Sequence, residues 1–503
     1  MRSSRIAAEI SKNFGITNDT AKKRISRVKP PVYKFPIQLL PKGETFLYLE
    51  KDRNSDRFWE GMIRDLREAG SIYGIAIDGL LSRGGVVQIS SFGVISGSPE
   101  VQKNQIPFLR VLENLIEASL VKKSEIGELG ECISLNQNIF PVMSIPEFRA
   151  QIVAENLILD AFREWVRNLG FASFNLVEIR NLLGAPKFST FQWDLCGPSY
   201  LLPFINGKND QKKPGFFVAD VCCNKTIDRN HIQYFLRKIR ILRSMRGIVQ
   251  FLPVLLADGY TKEALLAGKS EGAIIATISN LFGDAIADAL KTLISTLTHA
   301  AAIAATDPDR VSSLLNSLKG IEGAAGNLRG ALFEMIVGYL VLDVEGNSID
   351  IGEVIRDPKT GELAEIDVRR IKERKECWSY ECRGRQPNNR ITLLEAQEWV
   401  KRIQRILNFH RSQDRFRDYK FGFELWTTGE FDSEAIKFLE EEKQRRSSIE
   451  LHWRNKDSVR EYAKRASRKS ILDTLDQHYF KHLLNDRSNC RISPKLTPPI
   501  SRS

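Results

Sequence analysis

The pattern of apolar and polar positions alternates between helical and extended segments along most of the chain. In Ile145–Leu169 and Leu328–Leu342, apolar residues fall on most sides of a helix, which predicts two buried helices. Each is followed by short extended runs rich in β-branched and aromatic residues, and then by a helix with one apolar face. This order predicts a multidomain chain of the α/β (α+β) class.

The order of elements in residues 140–260 is repeated in residues 326–470. In both segments an acid-bearing helix is followed by acid-bearing strands, a helix and another strand. The acids in corresponding places are Glu155, Asp194 and Asp220 in the first copy and Glu334, Asp367 and Glu381 in the second. The repeat predicts a duplicated fold, although any α/β domain alternates such elements and an accidental match is the alternative. In the first copy the position two residues after Asp220 is Cys222, so no cation is expected there.

Residues 1–30 predict a helix-turn-helix. Two short helices are separated by Gly15, and the second begins at Thr17 or Asn18, which are both good N-caps. The exposed face of the second helix is expected to be basic, with Lys22, Lys23, Arg24 and Arg27. This pattern favours DNA binding through these four cations, because they would lie where phosphates and base edges lie. A plain helical hairpin with a solvated basic face is the alternative.

Residues 31–125 predict a winged-helix-like domain. Helices are followed by an expected hairpin, in which Gly84-Gly85 joins strands Leu80–Arg83 and Val86–Ile95. The wing would carry Arg83. A small α+β domain used for dimerisation is an equally good interpretation.

The remaining segments predict supporting structure. Residues 261–325 are Ala-rich and predict a helical connector. Their glycines lack the Gly-Lys-Ser/Thr ending of a phosphate-binding loop, so no nucleotide cofactor is expected. Residues 471–503 predict a C-terminal helix and a disordered tail that is polar and rich in proline and serine.

Composition narrows the range of partners. The chain has 503 residues and a formal net charge of +12, which favours polyanionic partners, with nucleic acid first. Seven scattered cysteines form no CxxC pair, so neither a zinc site nor a disulfide framework is indicated. No secretory signal or membrane-spanning stretch is recognised. We therefore expect a cytoplasmic protein without a membrane partner.

Three carboxylates of the second copy are placed to meet at one point. Strand side chains alternate between the faces of a sheet, so Glu381 and Arg383 share a face, as do Glu365 and Asp367. If the two strands pair, Asp367 and Glu381 reach a common point, with Glu334 approaching from its helix. Carboxylate oxygens around an open position suit Mg²⁺ or Mn²⁺.

This pattern resembles the PD-(D/E)xK restriction-endonuclease-like superfamily. The resemblance covers residues 326–470 and rests on the helix GALFE with Glu334, the strand AEIDV with Asp367, and the strand YECRG with Glu381 and Arg383. It implies a restriction-endonuclease-like domain with these four catalytic residues, a Mg²⁺ or Mn²⁺ cofactor held by the three acids, and DNA as the partner. It further implies a degenerate domain of the same fold in residues 140–260, and it makes a homodimer one expected arrangement.

The sequence departs from the family pattern at Arg383, where the family has lysine. Arginine can stabilise negative charge but cannot act as a base. A structural ion pair is the alternative for the acids, because an arginine beside Glu381 or Glu334 would equally satisfy a buried carboxylate. The sequence favours a DNA-binding, metal-dependent endonuclease of bacterial restriction or phage defence. It leaves open a non-catalytic DNA-binding regulator or scaffold built on decayed nuclease folds.

Overall fold

The structure, a computed structural model, is of the mixed α/β class. It describes residues 1–126, 129–181, 184–201, 213–307, 309–318, 325–372, 375–385 and 389–480. The chain forms two compact units. The first unit comprises Met1–His299 and Ser317–Asn327, and the second comprises Ala300–Asn316 and the chain from Leu328 onward.

The first unit begins with two helices and a two-stranded antiparallel sheet. These elements are α1 (Ser3–Phe14), α2 (Asn18–Ser26), β1 (Val32–Lys34) and β2 (Leu47–Leu49). Gly15 makes the turn between the helices with φ 62°, a conformation that glycine adopts without strain. Ala7, Ala21 and Ile25 are buried together with Leu47. Because Leu47 of β2 belongs to this small core, the N-terminal helical region continues past the boundary predicted at residue 30.

The next part of the first unit contains four helices and a three-stranded sheet in the order β3-β5-β4. The elements are α3 (Asp56–Glu68), α4 (Ile72–Ser82), β3 (Val86–Gln88), α5 (Phe92–Ile95), α6 (Phe108–Glu117), β4 (Val121–Glu125) and β5 (Glu131–Leu135). The predicted strand Leu80–Arg83 is wrong. These residues are the end of α4, a helix that the sequence predicts over Tyr73–Leu81 and that continues to Ser82, buried on almost every side.

The predicted hairpin at Gly84-Gly85 is consequently absent. These two glycines have positive φ and turn the chain from α4 into β3, which pairs with β5. A glycine-tipped hairpin occurs later, where β4 and β5 pair and Gly130 has φ 70°. A helix followed by such a hairpin is therefore present, but it lies further along the chain than predicted.

A five-stranded sheet completes the first unit, in the order β6-β9-β10-β11-β12. Its first two pairings are antiparallel and its last two are parallel. The elements are α7 (Ile145–Asn168), β6 (Glu178–Ile179), β7 (Lys187–Phe188), β8 (Phe191–Gln192), β9 (Leu195–Ser199), β10 (Gly215–Ile227), α8 (Gln233–Ser244), β11 (Phe251–Tyr260), α9 (Lys262–Ser270), β12 (Ile274–Thr277), α10 (Ile278–Phe282) and α11 (Asp284–Thr298).

Two features of this sheet correct or extend the sequence analysis. The connector predicted as helical contains β12, in which Ile274 and Ile275 pair with Val254 and Leu255 of β11. One hydrophobic core also includes both the preceding helices and the sheet. Its members include Phe92, Leu115, Trp193, Phe235 and Leu255.

The second unit is built around another five-stranded sheet, in the order β13-β14-β15-β17-β19. Its elements are α12 (Ala300–Thr306), α13 (Asp309–Ser317), α14 (Ala325–Glu345), β13 (Ser348–Arg356), β14 (Leu363–Lys372), β15 (Glu376–Arg383), β16 (Arg390–Ile391), α15 (Leu393–Arg411), β17 (Lys420–Thr427), β18 (Glu430–Phe431), α16 (Ser433–Arg445), β19 (Glu450–Arg454), α17 (Lys456–Ala463) and α18 (Lys469–Leu475). A short π-helix, Asp476–Phe480, follows, and the predicted tail beyond it lies outside the described residues. The two five-stranded sheets share their strand order and strand directions.

Helix α15 packs on the second sheet through the positions that the sequence predicts. Its capping box, formed by Thr392 and Glu395, satisfies backbone donors at its start. The predicted core residues Ala396, Val400, Ile403, Ile406 and Leu407 are all buried. The helical period of the apolar residues therefore placed this helix correctly.

His410, near the end of α15, makes the stability of this core dependent on pH. Its ring stacks on Phe421, and burial, together with Arg369 and Arg415, lowers its pKa to about 3. The folded state keeps His410 neutral, whereas the unfolded chain takes up a proton below pH ~6.5. Stability is thus fully present above that pH and is lost as the pH falls towards 3.

We expect this histidine alone to lower the free energy of unfolding by about 2 kcal/mol between pH 7 and pH 5. Urea unfolding of the wild type and of His410→Phe at both pH values measures the difference, because phenylalanine fits an aromatic cluster and cannot titrate. Equal pH dependence in the two proteins would contradict the prediction.

Candidate functional site

Asp367 and Glu381 lie on adjacent antiparallel strands of the second sheet. Pairing of Val368 with Tyr380 places them next to one another in the register of β14 and β15. The backbone N–H of Cys382 donates a hydrogen bond of 2.7 Å to Oδ2 of Asp367. Both acids are buried, with exposed fractions of 3% and 4%. The structure therefore brings these two predicted acids together at one end of the paired strands.

Two arginines hold the carboxylate of Glu381. Nη2 of Arg383 lies 2.5 Å from Oε1. Nη1 of Arg402, from α15, lies 2.9 Å from Oε1 and 3.1 Å from Oε2. The side chains of Arg383 and Arg402 are 27% and 16% exposed, so solvent reaches the cationic side of the site. The arginine–glutamate ion pair that the alternative interpretation expects at Glu381 is therefore present.

Arg402 is a site residue that the sequence analysis missed. It lies three positions after Trp399 and four before Ile406, both of which are buried. A cation at helical spacing with core residues projects towards the sheet, and this spacing could have identified it. The sequence analysis considered only cations on the strand that carries Glu381.

Glu334 approaches the site from α14. Burial is the largest cause that raises the pKa of the Cys382 thiol. The negative charges of Asp367, Glu334 and Glu381 raise this pKa further. At the end of β15 the chain runs close to α14, since a Cβ on Gly384 would lie 2.5 Å from the carbonyl oxygen of Arg329. The helix and the strand thus converge where the sequence analysis placed the site.

The donor atoms of this site suit a divalent cation, but the arginines compete for them. Carboxylate oxygens from Asp367 and Glu381 are the hard ligands that Mg²⁺ and Mn²⁺ take. Both oxygens of Glu381 are engaged by guanidinium groups. Within the described parts of the chain, no group of three His, Cys, Asp or Glu side chains could hold a metal ion. A metal ion would therefore have to displace arginine from Glu381.

The matching acids of the first unit form a closed ionic network. The backbone N–H of Val221 donates to Oδ2 of Asp194 at 2.8 Å, as Cys382 does to Asp367. Asp194 is ion-paired with Arg83 and with Arg180, whose Nε lies 2.7 Å from Oδ1. Burial disfavours the charged form of Asp194, but the two arginines outweigh it and lower its pKa.

Glu155, on α7, completes the same network. It is ion-paired with Arg180, and its Oε2 lies 3.6 Å from Nη1 of Arg83. Glu155, Arg83 and Arg180 are 2%, 2% and 6% exposed. The two guanidiniums thus bridge the two acids out of contact with solvent.

Asp220 has a cation of its own. Nζ of Lys238, on α8, lies 2.7 Å from Oδ2 of Asp220. The ammonium also donates to the carbonyl oxygens of Val94 and Gln192 and lies 3.7 Å from the ring centroid of Trp193. Burial raises the pKa of Asp220 to about 6, against the opposing effect of Lys238. All three N–H groups of the ammonium therefore donate hydrogen bonds, and neither Asp220 nor Lys238 is exposed to solvent.

These contacts extend one expectation and correct another. No cation is expected two residues after Asp220, but Arg83, Arg180 and Lys238 reach the acids of the first copy from other elements of the fold. Position 222 supplies none, and the thiol of Cys222 lies 3.6 Å from the hydroxyl of Tyr234. Arg83 is predicted to lie on the wing of a winged-helix-like domain. It is instead buried, because two carboxylates compensate its desolvation.

The four predicted DNA-binding cations lie on or next to α2. Lys22, Lys23, Arg24 and Arg27 are exposed. Lys22 lies 3.9 Å from Asp19, one turn earlier, and such an exposed pair is weak. The charge of this face is therefore accessible to a partner.

Comparison of the chain with models of protein families, with curated proteins and with solved structures finds no match. Among the helices that the structure describes, none is long and apolar enough to cross a membrane.

Proposed function

We propose that the second unit is a divalent-metal-dependent nuclease that cleaves phosphodiester bonds in DNA. The proposal rests chiefly on the pairing of Asp367 with Glu381 on adjacent strands, next to two cations that solvent reaches. Glu334 adds a third acid from the neighbouring helix. Both carboxylates are buried, and the arginines that compensate Glu381 are partly exposed, so a phosphate in solution could reach the cationic side of the site.

Asp367 and Glu381, with Glu334, are the residues that would hold Mg²⁺ or Mn²⁺. Such an ion, when bound, supplies a water of lowered pKa and stabilises negative charge on a phosphate. These acids would orient the ion, and Asp367 is itself held in place by the N–H of Cys382.

Arg383 and Arg402 would bind the phosphate group. Both are already close to Glu381, and each keeps its charge at any working pH. If Glu381 held the ion in place of the two arginines, the guanidiniums would be available for the oxygens of a phosphate, to which each can donate two hydrogen bonds. Neither arginine can accept the proton of the attacking water, so that proton leaves through solvent or a carboxylate.

The first unit would contribute no catalysis. Its three acids are each paired with a buried cation, and exposure of the network is at most 6%. DNA would be held in part by the cations of α2, whose phosphate contacts weaken as salt rises. The combination of a DNA-binding element with a nuclease suits a role in bacterial restriction or phage defence.

A non-catalytic DNA-binding regulator or scaffold is the second candidate. The observation that favours it is the double ion pair at Glu381, which leaves neither carboxylate oxygen without a cation. This candidate predicts salt-sensitive DNA binding without metal-dependent cleavage. Substitutions at Glu381 would then alter stability alone.

The experiment that tests the nuclease measures nicking of plasmid DNA by the full chain in Mg²⁺ or Mn²⁺. We expect Arg383→Ala to lower the rate by about 100-fold, the usual effect of removing one group that stabilises transition-state charge. Arg383→Lys keeps the charge, can shed a proton, and is expected to cleave at least as fast as the wild type.

The exposed Arg110→Gln serves as a matched control, because Arg110 belongs to the first unit and pairs with Glu113 rather than with an acid of the site. If the wild type binds DNA but cleaves it with neither metal, the nuclease proposal is wrong and the second candidate is favoured.

A further inference from the structure

A cavity of about 640 Å³ lies in the N-terminal part of the first unit, enclosed by α1, α2, β2 and α3. Its volume falls within the range of small-molecule sites, roughly 300–1,000 Å³. Its floor is apolar. The residues that form this floor are Ile6, Ile10, Ile25, Val28, Tyr48 and Phe58.

Gly61 helps to make this space. It lies on the face of α3 that lines the cavity, between Arg57 and Arg64. A Cβ at this position would meet only the ring of Phe46, at 3.7 and 4.0 Å, which is ordinary van der Waals contact. A helix-interior glycine normally weakens a helix by about 1 kcal/mol relative to alanine. A Cβ alone is thus tolerated at this position, whereas a longer side chain would extend into the cavity.

The rim of the cavity carries three arginines whose charge is available to a ligand. The side chains of Arg24, Arg57 and Arg64 line it and are exposed, and none forms a hydrogen bond or an ion pair with another described residue. Three carboxylates also line the rim, and one of them, Glu9, lies 3.8 Å from Arg5. Among the described residues, the rim thus carries three unpaired guanidiniums and two unpaired carboxylates, Asp52 and Glu60. The net charge of these unpaired groups is positive, which favours an anionic ligand.

We propose that this cavity binds a small amphipathic anion, with an aromatic or aliphatic body and one carboxylate, sulfonate or phosphate group. The body packs on the apolar floor, and the anionic group accepts hydrogen bonds from the guanidiniums at the rim. Arg24 is also one of the cations of α2 assigned to DNA. Ligand and DNA therefore compete for it, a consequence that rests on the proposed DNA binding, whereas the ligand site itself does not.

The test uses two fluorescent probes and the full chain. 1-Anilinonaphthalene-8-sulfonate is an amphipathic anion, and N-phenyl-1-naphthylamine is a neutral molecule of similar shape. We expect one saturable sulfonate site in the wild type. Gly61→Leu fills the cavity and weakens the binding of both probes by at least about tenfold. Gly61→Ala adds only the tolerated Cβ and binds like the wild type.

The double variant Arg57→Gln/Arg64→Gln separates charge from shape. It is expected to weaken sulfonate binding about tenfold or more while leaving the neutral probe unchanged. Arg110→Gln is the control for charge removal elsewhere on the unit. Equal sulfonate binding by the wild type and Gly61→Leu would overturn the site. Equal losses of both probes in the arginine variant would overturn its preference for anions.

Two further measurements separate the ligand site from a dimer interface and from the proposed DNA binding. If Gly61→Leu converts a dimer into a monomer in size-exclusion chromatography, a second copy occupies the cavity and the small-molecule site is wrong. Displacement of a labelled DNA duplex by the sulfonate supports competition at Arg24. If the protein binds no duplex but keeps the expected probe pattern, the proposed DNA binding fails while the ligand site stands.

Discussion

Replacing Arg83 by leucine is expected to lower the free energy of unfolding of the first unit by about 3–5 kcal/mol, the usual cost of leaving buried charges without their partner. The guanidinium of Arg83 neutralises Asp194 and lies near Glu155, and all three side chains are buried. Leucine would leave Arg180 alone between two carboxylates. One of them must then take up a proton or admit water, and either change disrupts the network.

Amide hydrogen exchange of peptides from β10, followed in increasing urea, measures this loss within the first unit. Arg83→Lys is expected to lose an intermediate amount, since an ammonium cannot bridge two carboxylates as a planar guanidinium does. Arg83→Leu combined with Glu155→Leu should recover part of the loss, because it removes a charge that leucine alone leaves unpaired. Unchanged stability of Arg83→Leu, equal to that of Arg110→Gln, would contradict a structural role for the network.

Asp367→Asn is expected to lower DNA cleavage by about 100- to 1,000-fold, in line with the loss of one group that stabilises charge in a transition state. The amide oxygen of asparagine can still accept the hydrogen bond of the Cys382 N–H, so the strand pairing is preserved. The substitution removes negative charge with little change of shape. A fall in activity would then reflect chemistry rather than unfolding.

Glu365→Gln is the matched control for this variant. Glu365 lies two residues earlier on the same strand, shares its face and is also buried, at 6% exposure. Glu365→Gln therefore removes one negative charge from a buried position on the same face of the strand. We expect this variant to cleave DNA at the rate of the wild type. Cleavage that persists in Asp367→Asn would remove this site from the chemistry and would favour the DNA-binding scaffold.

The fold was predictable where one structural period dominates. The amphipathic pattern of α15 placed all five of its predicted core residues, and the alternation along β14 and β15 placed Asp367 and Glu381 on one face. Prediction failed at the end of α4, where the sequence predicts the helix over Tyr73–Leu81 but also a strand over Leu80–Arg83, and the helix in fact continues to Ser82. It failed again at β12, a four-residue strand within a largely helical segment.

The candidate site was predictable only within single elements. The acids and Arg383 lie on the motif-bearing helix and strands, so sequence spacing identified them. Arg402 lies 21 residues from Glu381, and Arg83 lies 111 residues from Asp194. No local pattern specifies which distant cation will compensate a buried acid, because that choice depends on how the chain folds back. The ionic network of the first unit could therefore be identified only from the structure.

The shared core of the first unit limits how this protein can be dissected. Phe92 and Leu115 pack in the same core as Trp193 and Phe235, and Arg83 is compensated by acids beyond residue 150. The sequence suggests a boundary near residue 140. A truncation there would expose half of that core and leave Arg83 without its two acidic partners. The N-terminal region is consequently expected to aggregate when expressed alone, so the proposed DNA binding is best measured in chains that retain at least residues 1–299.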